Sequence, residues 1–369
     1  MTKIIRTLLL TLLTLALISP IISNAQTSRS SGAVFAMTNA ADHNVIIAFQ
    51  RTSDGALRPA RRFATGGRGS GGTVDPLGSQ GSLIFTQNRQ FLLAVNAGSG
   101  DISVFRVSGP MLQLVDKVSC GGSQPVAIAQ YGNLVYVVNA GGNSNVIGFH
   151  LDGNGQLSQI TGSIAFLSTS NAGPGSIVFG PGGQQLLVTE KVTNLIDVFN
   201  VQADGTLGAL VTNASAGAGA FAAAFAPNGA ALVSETAGAL SSYGVQSDGK
   251  VVTISASVPT LGAATCWQAV TPDGRFVYTS NAGSSTISGF MIGKTGALTA
   301  LPGTVVATLP SNSTNLDMAI SADGKFLYTV DAGTGKVSTF SIDSDGMLNS
   351  LGEAGGLPAN SGINGLAAM

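Results

Sequence analysis

Charged side chains recur at one position of a repeated sequence phrase, although only 9% of the 369 residues are charged. Carboxylates can act as general acids or bases, and an ammonium group can stabilise a developing oxyanion. The loops at this position are therefore the candidate catalytic positions, and the alternative is that their charges are solvated loop residues. The loops concerned carry Asp42 and His43, Glu190 and Lys191, Glu235, and Asp331.

The sequence disfavours a histidine-based mechanism. Only two histidines are present, His43 and His150. His150 ends a predicted third strand, which places it on the rim opposite His43. Two histidines on opposite rims cannot share a zinc ion, and no Gly-x-Ser-x-Gly sequence of a serine hydrolase accompanies His43. We therefore predict no bound metal and no cofactor.

The elements that position these loops come from an internal repeat. Each copy has an apolar run, a turn such as Pro-Asp-Gly, a β-rich run, an Asn-Ala-Gly-like loop, a second β-rich run and a turn of the type Asp-Gly-x-Leu, most clearly in residues 269–298. Four short strands in a period of about 40–50 residues are typical of a propeller blade. The sequence therefore predicts an all-β, seven-bladed β-propeller. The loop-opening residues of the seven copies are Asn39, Asn96, Asn139, Glu190, Glu235, Asn281 and Asp331.

The two ends of the repeat array predict that the ring is closed. The first copy begins at its second strand, residues 33–37, and lacks an inner strand. Residues 357–368 match the opening of the seventh copy, residues 309–320. We expect the C-terminal segment to supply the missing strand of the first blade, which removes both open sheet edges.

In such a propeller the Asn-Ala-Gly-like loops and the starts of the inner strands lie on one face, around the mouth of the central channel. Neutral amides and one Trp at this mouth suit a polar, sugar-like or lactone ligand, and the alternative is channel lining with ordered water. The glycine-rich run 66–72 is predicted to lie over the mouth as a mobile flap, where Arg68 can meet an anionic ligand. The other candidate binding residues are Gln80, Gln124, Trp267, Gln268 and Asp317, with Asp331 and His43 from the loops.

Two copies of the repeated phrase carry a resemblance to a known family. Residues 136–141 read Tyr-Val-Val-Asn-Ala-Gly and residues 278–283 read Tyr-Thr-Ser-Asn-Ala-Gly. They resemble the YVTN-type repeat of the seven-bladed lactonase family, which includes propeller 6-phosphogluconolactonases and carboxymuconate-cyclising enzymes. The resemblance implies a role in carbohydrate metabolism. It also implies one of two activities: a lactonase, which hydrolyses an ester bond, or a cycloisomerase that forms a lactone. For such a reaction Glu190 or Glu235 would be the base and Lys191 the electrostatic partner.

The chain departs from this family at the positions that carry the chemistry. Family enzymes open one inner strand with Pro-His, carry a glutamate before Ser-Pro-Asp-Gly on another, and have an Asn-Arg-Gly loop. Here residues 124–125 and 174–175 lack the histidine, Trp267 stands about where the glutamate would fall, and residues 281–283 lack the arginine. Two functions stay open: a lactone-processing enzyme with a non-standard site, and a non-catalytic propeller that binds a carbohydrate or an extracellular protein through the same mouth.

Composition and the N-terminus indicate an exported globular protein. A hydrophobic content of 44% and a formal net charge of −1 exclude a disordered chain and a nucleic-acid binder. Basic residues at Lys3 and Arg6, an apolar run at 8–22 and small residues up to Ala25 predict a signal peptide over residues 1–25, with a retained membrane anchor as the alternative. Residues 26–369 are then a single propeller domain, secreted to the extracellular space or periplasm, monomeric and without stable membrane insertion.

The two cysteines are not expected to form a disulfide. Cys120 and Cys266 fall in the third and sixth predicted blades, on nearly opposite sides of the channel. A disulfide requires Cα atoms within about 7 Å of each other.

Overall fold

Short apolar runs separated by glycine, asparagine and aspartate turns become strands in the computed structural model, which describes residues 32–369. Seven antiparallel sheets surround a central channel and form the predicted seven-bladed β-propeller. The only other regular element among these residues is a short 3-10 turn, Pro181–Gly183. The predicted signal peptide, residues 1–25, lies outside the described residues.

Each blade runs from an inner strand at the channel to an outer strand at the rim. Blade 1 consists of β1 (Gly32–Met37), β2 (Val45–Arg51) and β3 (Leu57–Ala64), completed by β29 (Leu366–Ala368), and blade 2 of β4 (Leu83–Phe85), β5 (Phe91–Asn96), β6 (Asp101–Ser108) and β7 (Met111–Ser119). Blade 3 consists of β8 (Ser123–Tyr131), β9 (Leu134–Gly141), β10 (Asn145–Leu151), β11 (Leu157–Gln159) and β12 (Ala165–Phe166), and blade 4 of β13 (Pro174–Phe179), β14 (Gln185–Glu190), β15 (Leu195–Asn200) and β16 (Val211–Ala214). Blade 5 consists of β17 (Ala220–Phe225), β18 (Ala231–Glu235), β19 (Ala239–Val245) and β20 (Val251–Pro259). Blade 6 consists of β21 (Thr265–Val270), β22 (Phe276–Asn281), β23 (Thr286–Ile292) and β24 (Leu298–Thr308), and blade 7 of β25 (Asn315–Ile320), β26 (Phe326–Asp331), β27 (Lys336–Ile342) and β28 (Leu348–Gly355).

The predicted closure of the ring is confirmed. Strand β29 pairs with β1 as the inner strand of blade 1, with Val34 opposite Ala368 and Ala36 opposite Leu366. The Met369 N–H also donates to the Ala33 carbonyl at 2.9 Å. The last strand of the chain therefore completes the first sheet.

Blade 3 departs from the four-strand pattern because its outer strand is interrupted. Strands β11 and β12 both pair with β10, one at each end. Between them the Ser163 hydroxyl accepts from the Gly148 N–H at 3.0 Å and donates to the Ile160 carbonyl at 2.7 Å. This side chain therefore satisfies the Gly148 N–H where the outer strand is missing.

The core lies between the blades, where the side chains of each sheet pack on those of its neighbours. The tyrosine of the repeated phrase also forms a hydrogen bond between neighbouring blades. The Tyr136 hydroxyl in blade 3 donates to the Gly205 carbonyl in the outer hairpin of blade 4 at 2.5 Å. The Tyr278 hydroxyl in blade 6 donates in the same way to Gly346 of blade 7 at 2.7 Å. These bonds connect blade 3 to blade 4 and blade 6 to blade 7 at the outer rim.

Cys120 and Cys266 are both free and buried, which confirms that they do not bond to each other. In the described part of the chain, no helix has the length and apolar character that crossing a bilayer requires.

Candidate functional site

The starts of the inner strands and the loop-opening residues lie on the same face, as predicted. Thr265 at the start of β21 pairs with Asn281, and Asn315 at the start of β25 pairs with Asp331. We call this face the upper face, and the face with the Pro-Asp-Gly-type turns the lower face. The upper mouth of the channel is the place where the sequence predicts a ligand.

All seven loop-opening residues are 0% exposed. In several blades a glycine of the connection from the preceding blade packs directly against the loop-opening residue. A Cβ on that glycine would clash, as on Gly67 against Asn96 and on Gly262 against Asn281. Gly217 covers Glu235 in the same way. The position is thus a buried structural one, occupied by asparagine in four blades and by a carboxylate in three. The alternative of solvated loop charges is wrong for Glu190, Glu235 and Asp331.

Glu190 is held by hydroxyl and amide donors in this buried position. Its Oε1 accepts from the Ser168 N–H at 2.9 Å, and its Oε2 accepts from the Ser168 hydroxyl at 2.5 Å and from the Thr193 hydroxyl. Its other neighbour is the buried carboxyl of Asp197. Burial and the adjacent Glu190 raise the pKa of Asp197 to about 8. Burial alone would raise the pKa of Glu190 too, but the hydrogen bonds outweigh it and hold that pKa below its ordinary value. Asp197 is thus the protonated partner.

Glu235 and Asp331 are bound by serines of their own blades. The Ser241 hydroxyl donates to Glu235 Oε1 at 2.5 Å, and the Ser257 hydroxyl donates to its Oε2 at 2.7 Å. The Ser338 hydroxyl donates to Asp331 Oδ2 at 2.5 Å. Burial raises the pKa of Asp331 to about 7.

The upper part of the channel is filled by residues 75–82 of the connection from blade 1 to blade 2, which we call the channel segment. The run 66–72, predicted as a flap over the mouth, is hydrogen-bonded to blade 1 through Gly69 N–H to Ala40 O (2.8 Å) and Gly71 N–H to Asn39 O (2.9 Å). The channel segment, which follows it in the chain, crosses the channel and contacts inner strands on several sides. Its hydrogen bonds include Ser79 Oγ to Val126 O (2.8 Å), Gln80 N to Gly175 O (2.8 Å), Gln80 Nε2 to Gln268 O (2.7 Å), Gln268 N to Gln80 Oε1 (3.0 Å), Trp267 Nε1 to Ser79 O (2.9 Å) and Ser82 Oγ to Asn364 Oδ1 (2.7 Å).

Asp75, the first residue of the channel segment, lies near Lys191 of blade 4. Lys191 Nζ donates to the carbonyls of Gly78 and, at 3.2 Å, Pro174. Asp75 Oδ1 accepts from the Gly78 N–H at 2.9 Å. A Cβ on Gly78 would lie 3.0 Å from Lys191 Nζ, a tight contact, and 4.0 Å from Asp75 Oδ2, so both groups lie on the same side of Gly78. Burial raises the pKa of Asp75 to about 7 and lowers that of Lys191.

Asp317 and Asn364 extend this cluster below Asp75. Asn364 Nδ2 donates to Asp75 Oδ1 at 3.1 Å. Asp317 is buried and accepts from the N–H groups of Met318 and Leu366, both at 2.9 Å. Burial raises the pKa of Asp317 to about 7, and the charge of Asp75 adds to the rise.

Trp267 and Gln268 are parts of the wall and are not open to the mouth. Trp267 is 1% exposed and packs edge-on against Phe221, with ring centroids 5.0 Å apart. Gln268 Nε2 donates to the carbonyls of Ala222 and Leu232 at 3.0 and 2.8 Å. Lys191 Nζ lies 5.3 Å from the centroid of the same Phe221 ring.

The structure therefore brings five of the predicted residues together, Gln80, Lys191, Trp267, Gln268 and Asp317, and leaves the others elsewhere. Within residues 32–369, no hydrogen bond joins the side chains of Gln124, Arg68 or His43 to the channel segment. Arg68 is exposed, and Gln124 is half-buried with a backbone φ of 53°. His43 is exposed and pairs with Asp42 at 2.7 Å, so these two loop charges are solvated.

Asp75 is the main site residue that the sequence did not reveal. It lies between two repeats, so the pattern of the blades assigns it no position. One feature of the sequence does indicate this segment. The spacing between Asn39 and Asn96 is long, so the connection between blades 1 and 2 must contain additional residues.

Comparison with known proteins supports the resemblance found in the sequence. Residues 222–362 match the family described as lactonase, 7-bladed β-propeller. No curated protein matches the chain. Among solved structures, a periplasmic gluconolactonase of Pseudomonas aeruginosa is 17% identical with a TM-score of 0.69, covering 90% of this chain and 99% of that one. A putative 6-phosphogluconolactonase of Bacteroides fragilis is 18% identical with a TM-score of 0.69 and coverages of 93% and 98%. Another from Bacteroides uniformis is 20% identical, with a TM-score of 0.67 and coverages of 91% and 99%.

Proposed function

We propose that this lactonase-like propeller binds and opens a neutral sugar lactone at the upper channel mouth. The observation that carries the proposal is the pair of Asp75 and Lys191, which lie on the same side of Gly78. The family match at residues 222–362 and the gluconolactonase names of similar structures support the lactone as substrate class. One ammonium beside two carboxyl groups that are protonated or half-protonated near pH 7 suits a neutral ring better than a phosphorylated one.

The two groups have complementary roles in this reaction. Asp75 Oδ2 has no hydrogen-bond partner in the described chain, so it can take a proton from a water molecule as that water attacks the lactone carbonyl carbon. Lys191 uses two of its three N–H donors on backbone carbonyls, which leaves one for the developing oxyanion. When the ring C–O bond breaks, the leaving alkoxide takes the proton back from Asp75. The product is the open-chain hydroxy acid, and the reverse sequence forms a lactone.

We expect Asp75→Asn and Lys191→Met to lower lactone hydrolysis about 10²-fold or more, since proton transfer and oxyanion stabilisation each contribute on that order. Proton release from glucono-1,5-lactone, corrected for the spontaneous reaction in buffer, measures the rate. The wild-type rate should rise with pH through about 7 as Asp75 ionises, and Asp75→Asn should lose this dependence.

The control is Asp248→Asn, which removes an exposed carboxylate that pairs with Lys250 at 3.6 Å. It should leave the rate unchanged. A folded Asp75→Asn variant with the wild-type rate and pH profile would contradict the proposal.

A non-catalytic binding function is the second candidate, and the filled upper channel favours it. Residues 75–82 occupy the space that a ligand would enter from above, and the Trp267 indole N–H is already used on Ser79. In that case calorimetry would detect binding of a sugar lactone or its hydroxy acid without turnover, and Lys191→Met would weaken that binding.

We also propose export, with cleavage after Ala25. The sequence of residues 1–25 and the periplasmic location named for the similar Pseudomonas protein support it. N-terminal sequencing of the protein recovered from the periplasm or medium should begin at Gln26.

A further inference from the structure

The lower mouth of the channel opens into a second cavity, distinct from the Asp75 and Lys191 cluster. Its volume is about 500 Å³. The ends of the inner strands of blades 2, 3, 4 and 5 line it, together with the turns that follow them. Since residues 75–82 fill the channel above, we call this cavity at the lower face the lower cup.

Aromatic residues are concentrated in the wall of this lower cup, although only 6% of the chain is aromatic. The inner strands of four consecutive blades each end in an aromatic residue, and those of the other three blades end in an aliphatic one. All four rings are half-buried. The rings of Tyr131 and Phe179 are 5.7 Å apart. The strand-ending residues are Phe85, Tyr131, Phe179 and Phe225 in the cup, and Val270, Ile320 and Ala368 elsewhere.

The polar groups of the lower cup are already paired with one another. The Gln87 N–H donates to Gln130 Oε1 at 2.8 Å, Gln130 Nε2 donates to the Gly132 carbonyl at 2.6 Å, and the Gly132 N–H donates to Gln87 Oε1 at 2.9 Å. None of the lining residues is charged. The Tyr131 hydroxyl and Gln87 Nε2 have no hydrogen-bond partner among residues 32–369, so these two groups of the lining are free to bind a ligand.

We propose that the lower cup is a binding site for an uncharged, ring-containing small molecule that is largely apolar and carries one hydrogen-bonding group. Ligand sites are concave spaces of about 300–1,000 Å³ with mostly apolar walls and few polar groups, as here. A planar ring in the ligand can pack against the four aromatic side chains of the wall, because aromatic rings favour offset or edge-on packing with one another. The one charged group that packs on these rings in the described part of the chain is the Arg89 guanidinium, 5.7 Å from the Phe85 centroid, and it already donates to the Ala368 carbonyl at 2.9 Å. A charged ligand would therefore lose hydration for little gain, so the cup favours an uncharged one. The proposal is independent of the function at the upper mouth.

The test is a fluorescence titration of the full chain with N-phenyl-1-naphthylamine, an uncharged two-ring probe that brightens in apolar surroundings. We expect one saturable site per chain. Phe225→Ala should weaken binding about 10-fold, because it removes one ring of the arc. Tyr131→Phe keeps the ring and removes the hydroxyl, so it should weaken binding by a smaller factor of about 3.

Ile320→Ala is the matched control, since Ile320 ends the inner strand of blade 7, outside the cup. It should bind the probe as the wild type does. Absence of saturable binding to the folded wild-type protein would overturn the proposal, as would an Ile320→Ala effect equal to that of Phe225→Ala. Self-association that Phe225→Ala abolishes, with no probe binding, would show instead that the lower cup is a contact between copies of the chain.

Discussion

The buried carboxyl pair of Glu190 and Asp197 illustrates how a catalytic-looking residue can have a structural task. Two neighbouring carboxyl groups in a buried place do not readily ionise together, so Asp197 keeps its proton to a higher pH than an ordinary aspartate. Glu190 is the ionised member and also accepts from Ser168, which precedes blade 4, and from Thr193, which follows β14. We infer that it ties the connection entering blade 4 to the loop on the upper face.

A Glu190→Gln substitution separates this structural role from the catalytic role predicted from the sequence. The amide oxygen can still accept from the Ser168 N–H, but the N–H₂ replaces the oxygen that accepts from the Ser168 and Thr193 hydroxyls, and losing hydrogen bonds to a charged group costs about 1–3 kcal/mol. We expect a lower melting temperature and an unchanged lactone kcat/KM per folded molecule. A base at Glu190 would give the opposite result, with an unchanged melting temperature and a rate about 10²–10⁴-fold lower.

The connections between blades are the elements that keep the loop-opening residues buried. Gly262 crosses directly over Asn281, and an added Cβ would overlap the Asn281 amide. That amide cannot move freely, because its Nδ2 donates to the hydroxyls of Thr286 and Ser288 at 3.0 and 2.8 Å. The glycine is therefore required by close approach of the backbone.

We expect Gly262→Ala to destabilise the protein by about 1–3 kcal/mol, the usual cost of overpacking. Denaturant unfolding measures the loss. The matched control is Gly153→Ala, because a Cβ there meets nothing within 4 Å and its φ is not positive. Equal stability of the two variants would mean that the connection can move away from Asn281.

Repetition decides which elements the sequence could predict. The blades, the shared upper face and the closure by the last strand were predictable because each feature occurs in register with a repeated phrase. The channel segment was not, since Asp75 and Gln80 lie in a connection without a second copy. Glu190 and Glu235 were predicted as catalytic residues because they are charged. The same position holds asparagine in four blades and is buried in all seven, so the position in the blade determines burial.

For the whole molecule, buried acids set an unusual dependence of stability on pH. Burial raises the pKa of Asp75, Asp317 and Asp331 to about 7 and that of Asp197 to about 8. An unfolded aspartate titrates near 3.9, so between about pH 4 and 8 the folded protein binds more protons than the unfolded chain. The free energy of unfolding therefore falls as pH rises through this range.

We expect a higher melting temperature at pH 5 than at pH 8. Differential scanning calorimetry across this range checks the sign. Asp197→Asn should reduce the slope, because it removes one of the four carboxyl groups that titrate in this range. A melting temperature that rises steadily from pH 5 to pH 8 would show that these four carboxyl groups are ionised in the folded protein.

The pairing of Val34 with Ala368 also affects the order in which the strands pair during folding. Nearly all the other strand pairs join neighbours in the chain, whereas this one joins residues more than 300 positions apart. Loop-closure entropy grows as about (3/2)RT ln n, which makes this contact about 3 kcal/mol harder to form than a hairpin of ten residues. Single blades can therefore assemble early and locally, and joining the two ends of the ring is the late, slow step of folding.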